Sequence, residues 1–461
     1  MNKQDLQSFL KTKEQEIIEY AQHLWDCPET SGKEKDSADL TRNLLREHGF
    51  TVREVPGMEH ALVAEWGQGH PVVGLLAEYD ALPGLSQKVA SAKQAVVDRG
   101  AGHGCGHNLL GGAAFGAALA IKAYLTSSDT VGTIRFYGCP EEESLSGKVK
   151  MLPTGVFDDC DVALSWHPLT ITTPLKEAFL ANNSIKYRFN GVTAHAAFSP
   201  EDGRSALDAV ELMNVGANYL REHIPSAARM HYTITETGGA PNIIPDKAES
   251  WYYIRAPRRM DVEDITRRLL KVAQGAGLMT ETTMQGEFIC GTYELLPNSV
   301  LADLTYQNML EMAPPVYTEE ELHFANQIQA SLDEDTVSRE ANRNKELVDE
   351  GESPMFQGVV DLSKADKVSM NGSSDVGDVS WNVPTSLFVA ATWPVGVPPH
   401  TWQATSASGS SLGYKGMMYA AQVMSGIAYD LYTKPDWVEK AQEEFRKRTQ
   451  ENQYISPLHR S

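Results

Sequence analysis

The sequence predicts an α/β protein: a mixed, largely parallel sheet with helices on both faces, interrupted by an inserted βαββαβ unit. Three observations carry this. Short, continuously apolar runs alternate with stretches of helical periodicity, the pattern of buried strands and their crossover helices. Polar clusters follow these runs, at the carboxyl ends of strands where open α/β sheets bind ligands. Between Leu180 and Asn298 the order changes to strand, helix, strand, strand, helix, strand.

Leu6, Leu10, Ile17, Ala21 and Leu24 recur at helical spacing and predict a helix over 6–25, and a second is expected over 36–48, stopped by Gly49. Residues 72–77 form a continuous apolar run ending at Glu78-Tyr79-Asp80. A long apolar helix over 109–125 precedes a strand over 131–137, which ends at three glutamates and a short helix over 146–152. A strand over 162–166 ends at His167, and another over 387–392 leads to the loop that carries His400.

The inserted unit reads as strand 184–189, helix 205–223, strands 229–235 and 249–256, helix 262–274 and strand 280–289. A split βαβ, ferredoxin-like layer is the simplest fold for that order. The segment 314–358 is acidic, helix-permissive and poor in aromatics, and reads as a surface insertion with no assigned role.

At 461 residues the chain is too long for one compact domain, and two or three are expected. A net charge of -21 disfavours nucleic acid and anionic membranes as partners, since both need a concentrated basic face. Five cysteines, odd in number and unclustered, argue for reduced thiols. Residues 1–24 lack the apolar run of a signal peptide, and apolar stretches elsewhere read as too short or interrupted to span a bilayer. A cytoplasmic protein is therefore expected.

The chemistry is concentrated in Gly102-His103-Gly104-Cys105-Gly106-His107-Asn108, where glycines on both sides of Cys105 let two side chains turn towards one centre. Thiolate, imidazole and carboxylate suit zinc and, with more oxygen, manganese. Taken alone the stretch is better described as a glycine-rich helix start with a buried thiol. Glu141-Glu142-Glu143 are costly to gather at the end of a buried sheet unless cations or a base's task hold them, although they also fit an acidic first helical turn. His167 and His400 each read singly as structural. Four clusters at strand ends, together supplying a thiolate, imidazoles and paired carboxylates, are better explained by a site for two divalent cations.

These motifs resemble the di-metal amidohydrolase and peptidase family of aminoacylases, glutamate carboxypeptidase and the plant hydrolases of indole-acetyl amino acids. The resemblance runs in order through Ala77-Glu78-Tyr79-Asp80-Ala81-Leu82-Pro83-Gly84, Gly102 to Asn108, Gly138-Cys139-Pro140-Glu141-Glu142-Glu143, Ser165-Trp166-His167-Pro168, Ser374-Asp375-Val376-Gly377-Asp378 and Pro399-His400-Thr401-Trp402. It implies a zinc-exopeptidase-like catalytic domain over 1–180 and 297–461 and a lid and dimerisation domain over 181–296. It implies amide hydrolysis of an N-acyl amino acid or dipeptide at two divalent ions per subunit. The thiolate favours zinc, whereas the resemblance points to manganese.

By the same resemblance the metal ligands are Cys105, His107, Glu143, His167 and His400, with Cys105 or a water bridging. Glu142 is the general base and Asp80 orients a ligating imidazole. The family's Pro-Ala-Glu-Glu reads here as Pro140-Glu141-Glu142-Glu143, and a shift of one residue is the alternative. In the lid, His195 corresponds to an oxyanion donor that reaches a partner subunit's site, and Asn242 and Arg255 to groups that hold a carboxylate. On sequence alone Asp80 also reads as a cap, Arg255 as a solvated charge and His195 as a packed turn residue. The partners implied are a small N-acyl amino acid and either a second copy through the lid or a homologous subunit, on which activity would then depend.

Overall fold

The computed structural model describes residues 1–176, 179–347, 353–368 and 372–459. The chain divides into two compact units. The first comprises Met1–Ala178, Leu296–Ser369 and Val379–Tyr454, and the second is built on Phe179–Leu295 with the described parts of Met370–Asp378 and Ile455–Ser461.

The first unit holds strands β1 (Thr51–Val55), β2 (Met58–Gln68), β3 (Val72–Glu78), β4 (Gly132–Cys139), β5 (Val162–Leu169) and β6 (Thr173–Pro174). Strands β7 (Ala181–Asn190), β8 (Arg229–Glu236), β9 (Lys247–Ala256) and β10 (Thr283–Thr292) form the second unit's sheet, and β11 (Thr385–Ala391) returns to the first. The larger sheet runs β1-β2-β4-β3-β5-β11-β6. Its central pairs β4/β3, β3/β5 and β5/β11 are parallel, while both margins are antiparallel. The parallel strands β3, β4 and β11 are buried along their whole length, as strands covered on both faces must be.

Helices α1 (Lys3–Asp26), α2 (Lys35–Glu47) and α3 (His107–Thr126) pack one face, with α3 set against β3, β4 and β5. On the other face, after the short α4 (Gly147–Met151), Tyr137 of β4 stacks on Phe157 at 4.3 Å. The prediction placed no apolar run long enough to cross a membrane, but α3 is long and apolar enough by length and composition. Its place explains why: 83% of its most apolar window is buried inside the unit, with Leu109, Ala113, Phe115 and Ile121 fully covered. Each large apolar side chain so covered contributes roughly 1.5–3 kcal/mol.

In the second unit α5 (Ala206–Leu220) and α6 (Arg259–Thr280) pack a four-stranded antiparallel sheet ordered β10-β7-β9-β8. A strand-helix-strand-strand-helix-strand chain with the first strand central beside the last is the split βαβ arrangement. Its core is separate, with Tyr187, Phe189, Met213, Tyr252 and Leu269 at its centre.

One element went unpredicted and one expectation is corrected. The hairpin of β1 and β2 was not predicted; β1 is short and carries two adjacent charges, Arg53 and Glu54, and only the middle of β2 is continuously buried. The acidic segment 314–358 is more than a surface insertion. It contains α8 (Glu319–Gln329) and α9 (Glu334–Leu347), and 348–352 lie outside the described residues. Its Ala325, Ile328 and Met355 are fully buried, and Ile328 joins Trp393 and Val397 in one apolar cluster. The acids lie on the outer faces of helices whose inner faces are apolar. The remaining helices are α10 (Val376–Ser380), α7 (Ser299–Glu311), α11 (Trp402–Ser408), α12 (Ser411–Thr433) and α13 (Asp436–Thr449), of which α12 packs beside α3 and α1.

Candidate metal centre

The carboxyl ends of the adjacent parallel strands β4, β3, β5 and β11 all open on one side of the sheet, where the amino end of α3 also arrives. Glu78 ends β3 and Asp80 follows it, Glu141 to Glu143 follow β4, and His400 lies in the loop after β11. His167 departs from expectation: it lies inside β5, which continues to Leu169, because Val389 of β11 pairs with it. Cys105 and His107 flank Gly106, which takes φ 78 at the start of α3. A Cβ there would strain the backbone and come within 2.9 Å of the Pro168 ring. Glycine is what permits both side chains to face one centre.

The structure brings all five predicted ligands together. The ligand atoms of Cys105, His107 and His167 lie within 4.8 Å of one another, as do those of Cys105, Glu143 and His400. Two trios thus share the Cys105 sulfur. Cys105 Sγ is 3.4 Å from His167 Nε2, and His400 Nε2 is 3.5 Å from Glu143 Oε2. His107 Nδ1–H donates to Asp80 Oδ1 at 2.9 Å, and His167 Nδ1–H donates to the Pro168 carbonyl at 2.8 Å. With Nδ1 so engaged, each ring turns its Nε2 inward, the atom that binds a metal once it carries no proton. His107 Nε2 and Glu143 Oε1 are buried without a hydrogen bond among the described residues, which an ion would remedy. Ligand atoms around an ion bound at about 2.0–2.3 Å stand about 3–4.5 Å apart, so the trios fit a metal.

The electrostatics agree. Burial and the neighbouring Glu143 carboxylate push the Cys105 thiol well above its ordinary value. Burial also pushes Glu143 up to about 7. Burial and the nearby His107 push His167 down to about 4, keeping it a neutral ligand. Burial opposes ionisation of Asp80, yet the bond and charge of His107 hold it below the usual carboxylate value. A pocket that resists releasing protons from its thiol and one carboxyl in the absence of metal is one in which a bound cation changes protonation most.

Glu142 is buried, with Oε2 3.8 Å from His107 Nε2. Glu141 turns elsewhere: its carboxylate takes Ser146 Oγ–H at 2.6 Å and pairs with Lys150. The one-residue shift is thus disfavoured by geometry. In the second unit His195 and Asn242 are neighbours, with Ala196 N–H donating to the Asn242 carbonyl at 2.9 Å and both side chains exposed. His195 Nδ1 accepts N–H bonds from Ala197 and Phe198, both at 3.2 Å, which places the ring proton on Nε2 and makes that atom an outward donor. Arg255 lies apart on β9 over the Tyr253 ring at 5.6 Å, its Nε buried without a hydrogen bond among the described residues.

Three residues went unassigned in the sequence reading. Glu78 Oε2 is 3.4 Å from His107 Nε2, and Glu78, His107 and Glu142 form a third possible ligand group. Its signal was the i, i+2 spacing to Asp80, which places both acids on one side of an extended chain. Lys148 donates to Glu78 Oε1 at 2.6 Å with both side chains almost wholly buried. Of the two lysines in Gly147–Met151, nothing in the sequence set Lys148 apart from Lys150. Glu34, at the start of α2, is fully buried, and burial together with Asp80 pushes it up to about 7. Nothing in the polar stretch around it marked it.

A model of peptidase family M20/M25/M40 matches residues 74–448. One of the two named subunits of p-aminobenzoyl-glutamate hydrolase from Escherichia coli K12 is 42% identical over 97% of this chain and 96% of its own length. The other named subunit, from the same organism, is 27% identical over 48% of this chain and 53% of its own length. Among solved structures, a dinuclear metal-binding peptidase of the M20 family from Bacillus subtilis shares the fold, with a TM-score of 0.59 at 16% identity over 92% of this chain and 99% of that one.

Proposed function

The chain belongs to peptidase family M20/M25/M40 and is a hydrolase of amide bonds, and from that premise we propose that it cleaves p-aminobenzoyl-glutamate, a folate breakdown product, at two divalent ions. The observation that carries the reading is the Cys105 sulfur shared by two ligand trios, with Glu142 beside them. Cys105, His107 and His167 would hold one ion, and Cys105, Glu143 and His400 the other, with zinc or manganese suiting this donor set. When bound, the pair supplies Lewis acidity that polarises the amide carbonyl and acidifies the attacking water.

The chain's own groups do the rest. Glu142 takes a proton from water as its oxygen adds to the amide carbon, then delivers that proton to the amide nitrogen as the C–N bond breaks. One water is consumed, and p-aminobenzoate and the glutamate amine leave. Asp80 keeps the His107 ring oriented through Nδ1. In the second unit, read as the lid and dimerisation domain, Arg255 offers a planar donor fork and Asn242 an amide for the substrate carboxylate. His195 Nε2–H suits a developing oxyanion.

A dimer through the second unit is supported by Leu212, Val215 and Tyr219, exposed along one face of α5, and by the exposed β8 residues Tyr232 and Ile234. The similarity to both named subunits of the Escherichia coli enzyme favours a homologous partner chain as a second reading of the assembly. Five free cysteines accord with a cytoplasmic location.

Release of p-aminobenzoate from p-aminobenzoyl-glutamate, followed by chromatography with the manganese- or zinc-loaded chain, tests the proposal. Turnover is expected, and Glu142→Gln should lower kcat by about 10²–10⁴-fold with both metals retained. Cleavage of acetylated amino acids or dipeptides in preference to this substrate would transfer the assignment to another N-acyl amino acid. Activity that emerges only with a homologous partner chain would decide the assembly.

A further inference from the structure

Glu142 is flanked by two residues whose backbone amides both end on buried carboxylates. On one side Glu141, at φ 61, occupies the left-handed region that costs a non-glycine residue roughly 1–2 kcal/mol. Its N–H donates to Glu34 Oε1 at 2.8 Å, across 107 residues of chain. On the other side Glu143 N–H donates to Asp80 Oδ2 at 2.8 Å, an oxygen that also takes the Ser31 hydroxyl at 2.8 Å. Ser31 and Glu34 belong to one loop, fastened to the end of β3 by Ala81 N–H donating to the Glu29 carbonyl at 2.7 Å. Glu34 is 0% exposed, and its Oε2 makes no hydrogen bond among the described residues. A carboxylate buried for packing alone is costly, and the bond it makes across the chain is to the strained residue before the base.

We propose that Glu34 is a positioning residue: it holds the Glu141 amide in the left-handed turn that, with the Asp80 bond to Glu143, aims the Glu142 carboxylate into the metal pocket. The inference rests on Glu142 as the base, but its structural part is measured without turnover. Hydrogen exchange on the full metal-free chain, read by mass spectrometry from overlapping peptides that start before residue 138 and end at 140 and at 141, isolates the Glu141 amide by difference. In Glu34→Ala that amide should exchange about tenfold faster, the effect of losing one buried hydrogen bond worth about 1.4 kcal/mol. Glu34→Gln keeps an acceptor oxygen and should restore protection.

In the metal-loaded enzyme Glu34→Ala should lower kcat about tenfold, with KM within twofold and both metals bound, and Glu34→Gln should recover most of that loss. Unchanged exchange in Glu34→Ala overturns the proposal. So does a Glu34→Gln protein, folded and metal-loaded, that is as poor as Glu34→Ala, for then the bond to the amide is not what matters. Should Glu34→Ala fail to fold, Glu34→Met fills the space without an acceptor and is held to the same outcomes. If the clamp behaves as expected while Glu142→Gln retains turnover, the base assignment fails and the positioning of the loop stands.

Discussion

Asp80→Asn removes one charge and almost no volume, yet it cannot satisfy the site in either orientation of its amide. Asp80 Oδ1 accepts from His107 Nδ1 at 2.9 Å, and Oδ2 accepts from Glu143 N–H and Ser31 Oγ, both at 2.8 Å. An asparagine offers a single acceptor oxygen. If it faces His107, the NH₂ group meets the Glu143 N–H; if it faces Glu143, the NH₂ group meets His107 Nδ1 and drives the ring proton to Nε2, the atom meant for the ion. A hydrogen bond to a buried charged partner is worth about 1.5–3 kcal/mol, or roughly 10- to 150-fold in an equilibrium constant. The mutant should therefore bind metal about 10–100-fold more weakly and lose kcat in the same range. Calorimetric titration of manganese or zinc into the metal-free chain, with kcat at saturating metal, measures both. Wild-type affinity and turnover in a folded Asp80→Asn protein would refute the argument that this carboxylate sets the ligand geometry.

Lys148→Met strands the buried Glu78 charge and should cost about 3–5 kcal/mol in urea unfolding of the metal-free protein, whereas the Glu78→Gln/Lys148→Met double variant should cost less because both charges go together. Gly106→Ala should lower stability by about 1–2 kcal/mol, read by thermal melting, because φ 78 excludes a Cβ and Pro168 blocks it. Metal affinity should depend on pH. Folded Glu143 holds its proton up to about 7, and the Cys105 thiol higher still, so an ion must displace both protons. Affinity should fall as pH drops below 7, by up to about tenfold per unit for each proton released, which titrations at pH 6 and 7 would measure. The sign reverses for stability without metal. A carboxyl raised from 4.5 to about 7 on folding gives the folded state the extra proton in that window, so the metal-free chain should lose up to about 3 kcal/mol as pH rises through it.

The catalytic half of this design was legible because its signals are local. Glycines beside Cys105, a proline before the glutamates and apolar runs that stop at acids each mark a turn or a strand end that a few residues determine. The ferredoxin-like unit was legible for the same reason, since the order of strands and helices along the chain follows from local periodicity and a split βαβ layer is the simplest fold for that order. What escaped was set by contacts distant in sequence. His167 looked like a residue past a strand, but pairing with Val389 of β11 carries β5 on to Leu169. Glu34 sits in a polar stretch and acquires its place only when Glu141 closes on it. The acids of 314–358 hid the apolar faces that bury Ala325, Ile328 and Met355.

The proposed chemistry stands on two ions meeting at Cys105. Anomalous diffraction at the metal edge, from crystals of the full chain grown with manganese or zinc, tests this most directly. Two peaks are predicted, both in coordination reach of Cys105 Sγ, one shared with His107 and His167 and the other with Glu143 and His400. A single peak, or peaks ligated by other residues, would contradict it.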